Sequence, residues 1–159
     1  MVKRKRKSPT LASLKKKAWK LLSECIRREA TAFPRENGGS AGCYTCPEIR
    51  NWKLMQAGHA IPGRTGMLLL DEEIIRIQCP ACNIFRRGNY GEFAARLIRE
   101  KMEYLYKEGD YVGDEPWQDA NEWWEYKLAS AKQIKKWTRS ELEEKISGYK
   151  ERLASLETR

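Results

Sequence analysis

The residues best equipped for chemistry in this 159-residue chain are four cysteines in two pairs, Cys43/Cys46 and Cys79/Cys82, and its one histidine, His59, which lies between the pairs. Zn²⁺ takes four soft or borderline ligands in a tetrahedron, and two Cys-x-x-Cys knuckles can converge four thiolates on a single ion. Cys43, Cys46, Cys79 and Cys82 therefore read as ligands of a structural Zn²⁺, and His59 is left for other work. The fifth cysteine, Cys25, falls on the apolar side of a helical pattern and reads as core. Four cysteines at metal spacing and one left over suit a reducing compartment better than a disulfide framework.

Positioning these side chains falls to the elements around them. The segment 1–9 opens with Lys3, Arg4, Lys5, Arg6 and Lys7 and reads as a disordered basic tail, because adjacent like charges repel and nothing apolar is at hand to bury. Over 10–33, Leu11, Leu14, Ala18, Leu21, Leu22, Cys25 and Ile26 recur at helical spacing, with Lys15, Lys16, Lys17, Arg27 and Arg28 mostly opposite, which predicts an amphipathic helix with a basic face. Pro34 stops it, and the run from Asn37 to Gly42 reads as a flexible joint.

Within 43–90, Trp52 to His59 is expected to form a strand ending at the histidine, and Ile74 to Gln78 a second strand running into Cys79. Asn83 to Arg87 has the look of a short helix punctuated by Gly88, so the segment is expected to be a ββα unit tied at its ends by zinc. The remainder, 91–159, is expected to be helical. Gly91 to Lys107 carries Phe93, Leu97 and Ile98 at helical spacing, Gly109 to Trp117 reads as a loop, and Asp119/Glu122 and Thr138/Glu141 have the spacing of capping boxes. Trp123, Trp124, Leu128, Ala131 and Ile134 are the expected buried side of the third helix. Leu142, Ile146, Tyr149, Leu153 and Leu156 form a seam on the last helix that suits either a short coiled coil between two copies or packing on the chain's own N-terminal helix. The expected fold class is thus α+β, a small zinc-bound core with mainly helical flanks.

Charge narrows the partner. Lys and Arg outnumber Asp and Glu 31 to 22, a net charge of +9 that favours a polyanion, with nucleic acid ahead of an anionic membrane surface. The longest aliphatic run, Met67 to Leu70, is far short of the roughly 20 apolar residues of a spanning helix. The basic N-terminus lacks the apolar stretch of a secretory signal, so a soluble, cytoplasmic protein is expected rather than a secreted one.

The string Cys43-Tyr-Thr-Cys46, Met55-Gln-Ala-Gly-His59, Gln78-Cys79-Pro-Ala-Cys82-Asn83 and Gly88-Asn89 resembles the phage NinG (Rap) recombination nucleases. More broadly it is similar to the zinc-containing HNH, or His-Me finger, superfamily that includes endonuclease VII. The resemblance spans about 43–90 and implies a treble-clef ββα-metal core with a structural zinc, a histidine at the end of the first strand and a helix starting after the last cysteine. It also implies that His59 activates water and that Asn83 helps to hold a catalytic Mg²⁺ or Mn²⁺. The implied substrate is branched or recombining DNA, cut by a homodimer in the cytoplasm of a bacterial host. At two positions the chain departs from that pattern: Gln56 stands where such chains often have Asp, and Ile74 where the HNH pattern has its central Asn.

The chemistry is coherent on its own terms. Phosphodiester hydrolysis needs an activated water and neutralisation of charge on the leaving oxygen, and a neutral imidazole suits the first task at cellular pH. A hard divalent ion suits the second, with oxygen ligands such as the Asn83 amide and substrate phosphates. Asp71, Glu72 and Glu73 are candidate further carboxylates. Lys53, Arg64, Arg76, Arg86 and Arg87, with Arg50, are the candidate DNA contacts. The rival function is a non-catalytic zinc module that binds nucleic acid, and a third is a helical adaptor for proteins.

Overall fold

The computed structural model describes residues 8–31, 39–62, 66–109 and 114–157. Its frame is a pair of long helices, α1 (Leu11–Glu29) and α4 (Arg139–Glu157), which share the most extensive contact between elements. Thr10 caps α1 by accepting the Ser13 N–H at 3.2 Å, satisfying one of the donors that a helix start leaves open. Leu14, Ala18, Leu22 and Cys25 line its buried face. Against them lie Leu142, Ile146, Tyr149, Leu153 and Leu156, every member of the expected seam. Cys25 is fully buried there, donates to the Tyr149 carbonyl at 3.5 Å, and has its thiol pKa pushed up to about 11 by burial. The seam thus takes the second of its two expected roles, packing on the chain's own N-terminal helix.

Between these helices the chain builds two small antiparallel sheets. Strand β1 (Ser40–Gly42) pairs with β2 (Ile49–Asn51), flanking the first knuckle, and β3 (Gln56–His59) pairs with β4 (Ile75–Gln78). In the second pair Gly58 faces Arg76 and His59 faces Ile75, so the histidine does end its strand. The expected strand from Trp52 is shorter than its sequence suggests. Asn51 accepts the Lys53 N–H at 3.0 Å and closes a 3₁₀ turn over Trp52–Leu54, which breaks the ladder. Ser40 to Gly42, read as part of a joint, instead forms β1; Asn37 and Gly38 lie outside the described residues.

Cys79 leads into a π-helical turn, Ala81–Phe85, and α2 (Tyr90–Glu108) follows. Helix α3 (Glu115–Ser130) starts earlier than the Asp119/Glu122 box predicts, because Pro116 supplies a pre-set φ at the helix opening and Asp114 accepts from Trp117 and Gln118. Its buried side also differs from expectation: Pro116, Ala120, Lys127 and Ser130 are buried, Trp123 and Trp124 half-buried, and Ile134 beyond its end is exposed. Lys127 explains the choice. Its ammonium reaches Asp71 at 2.6 Å and Glu73 at 2.5 Å, docking α3 on the turn that precedes β4. Arg152 of α4 reaches Glu72 at 2.6 Å and Glu29 of α1 at 2.8 Å. The helical N-terminal segment ends at Glu29 and not near position 33.

The Thr138/Glu141 capping box forms as expected: Glu141 accepts the Thr138 N–H at 2.7 Å, and the Thr138 hydroxyl accepts the Glu141 N–H at 3.2 Å. The Thr138 N–H, the Lys135 ammonium and the Thr138 hydroxyl hold the Glu141 carboxyl down from 4.5 to about 2. A depressed folded-state pKa gives stability that is present above the unfolded value and lost as pH falls towards the folded one. Glu141→Gln should therefore lower stability at neutral pH and flatten the acid limb between pH 4.5 and 2, so that variant and parent converge at low pH, read by urea melts across that window. Leu142→Ala should destabilise the chain by about 2–5 kcal/mol without altering its oligomeric state, checked by denaturant melts and light scattering.

Candidate metal centre and adjoining cleft

The four cysteine sulfurs lie within 4.8 Å of one another, with Cys46 and Cys79 at 3.8 Å. A tetrahedron with Zn–S bonds of about 2.3 Å sets its sulfurs about 3.8 Å apart, so the group could bind a structural zinc ion. Local structure brings them there. The β1–β2 hairpin closes the first knuckle, with the Cys43 N–H donating to the Glu48 carbonyl at 2.7 Å, and the Tyr44 N–H reaches the Ile77 carbonyl at 2.9 Å to join it to β4. Cys43 Sγ accepts the Cys79 N–H at 3.2 Å, and Cys79 Sγ accepts the Cys82 N–H at 3.4 Å. Burial raises the Cys43 thiol, but hydrogen bonds from Cys79 and Thr45 outweigh it and bring the pKa down to about 7. Burial pushes the Cys46 thiol up to about 12 and raises Cys79 as well. Neutral thiols are poor zinc ligands, so binding the ion means displacing protons.

Behind the centre stands a buried polar tie. Gln78, fully buried, donates from Nε2 to the Thr45 hydroxyl at 2.9 Å and to the Gly88 carbonyl at 2.8 Å, and Asn89 Nδ2 donates to the Thr45 carbonyl at 3.1 Å. One carboxamide thereby connects the first knuckle, β4 and the end of the π turn. The tie dictates the glycine before the histidine. A Cβ on Gly58 would stand 2.0 Å from Gln78 Oε1 and 3.0 Å from Asn83 Oδ1. Gln78 is held at its amide nitrogen by two partners and cannot step aside cheaply, so only glycine admits this approach.

Asn83 is brought against Gly58, the residue that precedes His59. Asn83 lies in the π turn with its N–H on the Cys79 carbonyl at 3.0 Å, and its Nδ2 donates to Gln56 Oε1 at 2.6 Å, leaving Oδ1 on the Gly58 side. His59 is 6 % exposed and its ring stacks on Trp19 of α1 with centroids 4.7 Å apart. His59 Nε2 lies 3.2 Å from the Leu69 carbonyl oxygen. A carbonyl only accepts, so Nε2 carries the proton and the neutral ring's basic lone pair sits on Nδ1. Trp19, Arg27, Met55, Gln56, Asn83 and Ile84 line a cleft of about 400 Å³ between α1 and the metal centre.

The charged residues divide. Arg76 is already engaged, with NH1 donating to the carbonyls of Glu72, Glu73 and Ile75 and NH2 on Glu100 at 3.1 Å. Arg86 and Arg87 are exposed on the π turn, and Lys53 is exposed beside Trp52, 5.8 Å from its ring centre. Arg64 lies outside the described residues. Of the acidic residues, Asp71 and Glu73 pair with Lys127, and Glu72 pairs with Arg152. Arg27 carries no site signal in the sequence, where its context is only a basic helix face. It is half-buried on the cleft wall, its partners are the backbone carbonyls of Ser23 and Met55, and burial lowers its pKa from the usual guanidinium value. Trp19 was hidden for the same reason.

Among the described residues no helix is long and apolar enough to cross a membrane. In comparisons with known proteins, no family model, no curated protein and no solved structure matches the chain.

The purified protein should contain one Zn²⁺ per chain by elemental analysis. Cys79→Ser should lose the metal and melt well below the parent, and metal retention should fall as pH is lowered because protons compete for the thiolates.

Proposed function

We propose that the chain is a zinc-stabilised DNA endonuclease of HNH type that hydrolyses phosphodiester bonds, with branched or recombining DNA as its substrate. The observation that carries this reading is that His59 ends β3 while Asn83, which lines the adjoining cleft with Arg27, lies against Gly58, the residue just before that histidine. His59 ends β3, Asn83 follows the last cysteine, and Asn83 Oδ1 comes to 3.0 Å from the Cβ position of the residue just before His59. A treble-clef, His-Me finger core would place its base and its metal ligand in this relation, as the sequence resemblance implies.

In the proposed reaction, His59 Nδ1 takes the proton of the attacking water while Nε2–H stays on the Leu69 carbonyl, which holds the ring in one tautomer. Asn83 Oδ1 is the ligand this chain offers to a Mg²⁺ or Mn²⁺, which when bound would neutralise charge on the leaving oxygen. Gln56 fixes the Asn83 carboxamide by its 2.6 Å hydrogen bond, so that Oδ1 rather than the amide nitrogen faces Gly58. Arg27 supplies positive charge on the cleft wall, where a phosphate would lie. Because the imidazole is 6 % exposed beneath Trp19, substrate reaches it only when that indole rotates aside.

The same burial, with the Leu69 bond, favours a second reading in which His59 is structural and the chain is a non-catalytic zinc module that binds nucleic acid. A cleavage assay with Mg²⁺ or Mn²⁺ on duplex, nicked and four-way DNA separates the two. The nuclease reading expects metal-dependent cutting that falls at least a hundredfold in His59→Ala, in line with the loss of a general base. Equal cutting by both proteins, or none by the parent, would sink it; DNA binding without cutting is the outcome expected of the module.

A further inference from the structure

The π turn that carries Asn83 also carries the most exposed aromatic side chain among the described residues. Phe85 is 82 % exposed and its neighbour Ile84 is 55 % exposed. Single exposed apolar residues need no explanation, but this pair has three features that such residues lack.

First, the backbone beneath it is held firmly. Asn83 N–H donates to the Cys79 carbonyl at 3.0 Å, Arg86 N–H to the Ala81 carbonyl at 2.9 Å and Gly88 N–H to the Cys82 carbonyl at 2.9 Å, so the turn is tied to both cysteines of the second knuckle. The chain then leaves through three successive residues of positive φ, Arg87 at 51°, Gly88 at 90° and Asn89 at 50°. Two of these are not glycine, and a backbone of this kind is kept only where its surroundings enforce it. Phe85 therefore projects from a firmly held backbone and adds nothing to the core. Second, Ile84 lines the cleft that holds Asn83, so the projection stands at the edge of the proposed reaction site. Third, the charge around it is positive. Arg86 and Arg87 follow directly, both exposed and neither in an ion pair among the described residues, and Arg27 stands on the facing wall.

An exposed aromatic on a fixed backbone, followed by two guanidinium groups in no ion pair among the described residues, is complementary to a nucleic acid whose bases are accessible. Phosphates engage the arginines, and the ring stacks on a base face. An intact duplex offers such a face only after unstacking, whereas a branch point offers it directly. We propose that Phe85, supported by Ile84, is a wedge that stacks on unpaired or unstacked bases at a DNA branch point and gives the protein its preference for branched over linear DNA. This deepens the function proposed above and rests on it for the identity of the polyanion.

Binding measured without Mg²⁺ or Mn²⁺ tests it, using fluorescence anisotropy on a four-way junction and on a linear duplex of equal length, with 2-aminopurine at the branch. The wild type should bind the junction more tightly than the duplex and brighten the 2-aminopurine. Phe85→Ala should lose about tenfold in junction affinity, keep duplex affinity within twofold and lose the brightening. Its salt dependence should not change, because no charge is removed. Phe85→Trp should retain the preference. An unchanged melting temperature and zinc content in both variants is expected of so exposed a position. Equal junction binding by wild type and Phe85→Ala, an equal loss on both DNA forms, or no junction binding by the wild type would each overturn the wedge. His59-dependent cutting by a Phe85→Ala protein with unaltered junction preference would leave the nuclease standing without the wedge. Loss of junction preference in a protein that cuts nothing would leave the wedge standing without the nuclease.

Discussion

Four thiols within 4.8 Å of one another are the constraint on which the candidate site depends. Deprotonated, they would repel one another strongly at this separation; protonated, they would make only weak hydrogen bonds. A divalent ion resolves the conflict by neutralising the thiolates and fixing their geometry. Both knuckles are parts of larger elements, one closing the β1–β2 hairpin and the other linking β4 to the π turn, so this one junction sets the spacing between strand and turn. Without it, β3 and β4 are a four-residue hairpin of a kind that is marginal alone in water.

A second layer of constraint is polar. Gln78, Thr45, Gly88 and Asn89 form a buried set in which the donor nitrogens of both carboxamides are satisfied. Removing one member would strand the others away from water, which costs more than the hydrogen bond itself contributes. The set also accounts for residues that the sequence resemblance singled out without a physical reason. Gly58 is glycine because the Gln78 and Asn83 side chains approach its Cα, and Gly88 is glycine because the turn leaves at φ 90°. The α1–α4 pair then closes the structure from outside, and through Trp19 and Arg27 it contributes to the cleft as well as to the core.

Much of this was legible in the chain itself where a short-range rule was at work. The cysteine spacing indicated the metal centre, the helical periodicity of Leu14, Ala18, Leu22 and Cys25 indicated α1, and Thr138 with Glu141 formed the predicted capping box. Short-range rules failed where two of them competed. Asp119 and Glu122 have capping-box spacing, yet Pro116 opens α3 a turn earlier. Trp52 to Leu54 reads as strand, yet the Asn51 side chain closes a turn there. Ile134 fits the apolar pattern of α3, but burial of Lys127 against Asp71 and Glu73 set which face turned inward.

Sequence alone determined the chemistry on offer: four thiols at ligand spacing, one histidine, and an asparagine after the last cysteine, because residue type and short spacing are local properties. Tertiary structure alone decided what surrounds them, because that depends on contacts between residues far apart in the chain. It covered the α4 seam with α1, tied Arg76 to Glu100 and the acidic turn to Lys127 and Arg152, and laid Trp19 on His59. It also placed Asn83 beside Gly58, where the amide of Gln56 rather than a carboxylate orients it. Those long-range contacts could not be read from spacing, since each pairs a local pattern with a partner that only the packed chain brings near.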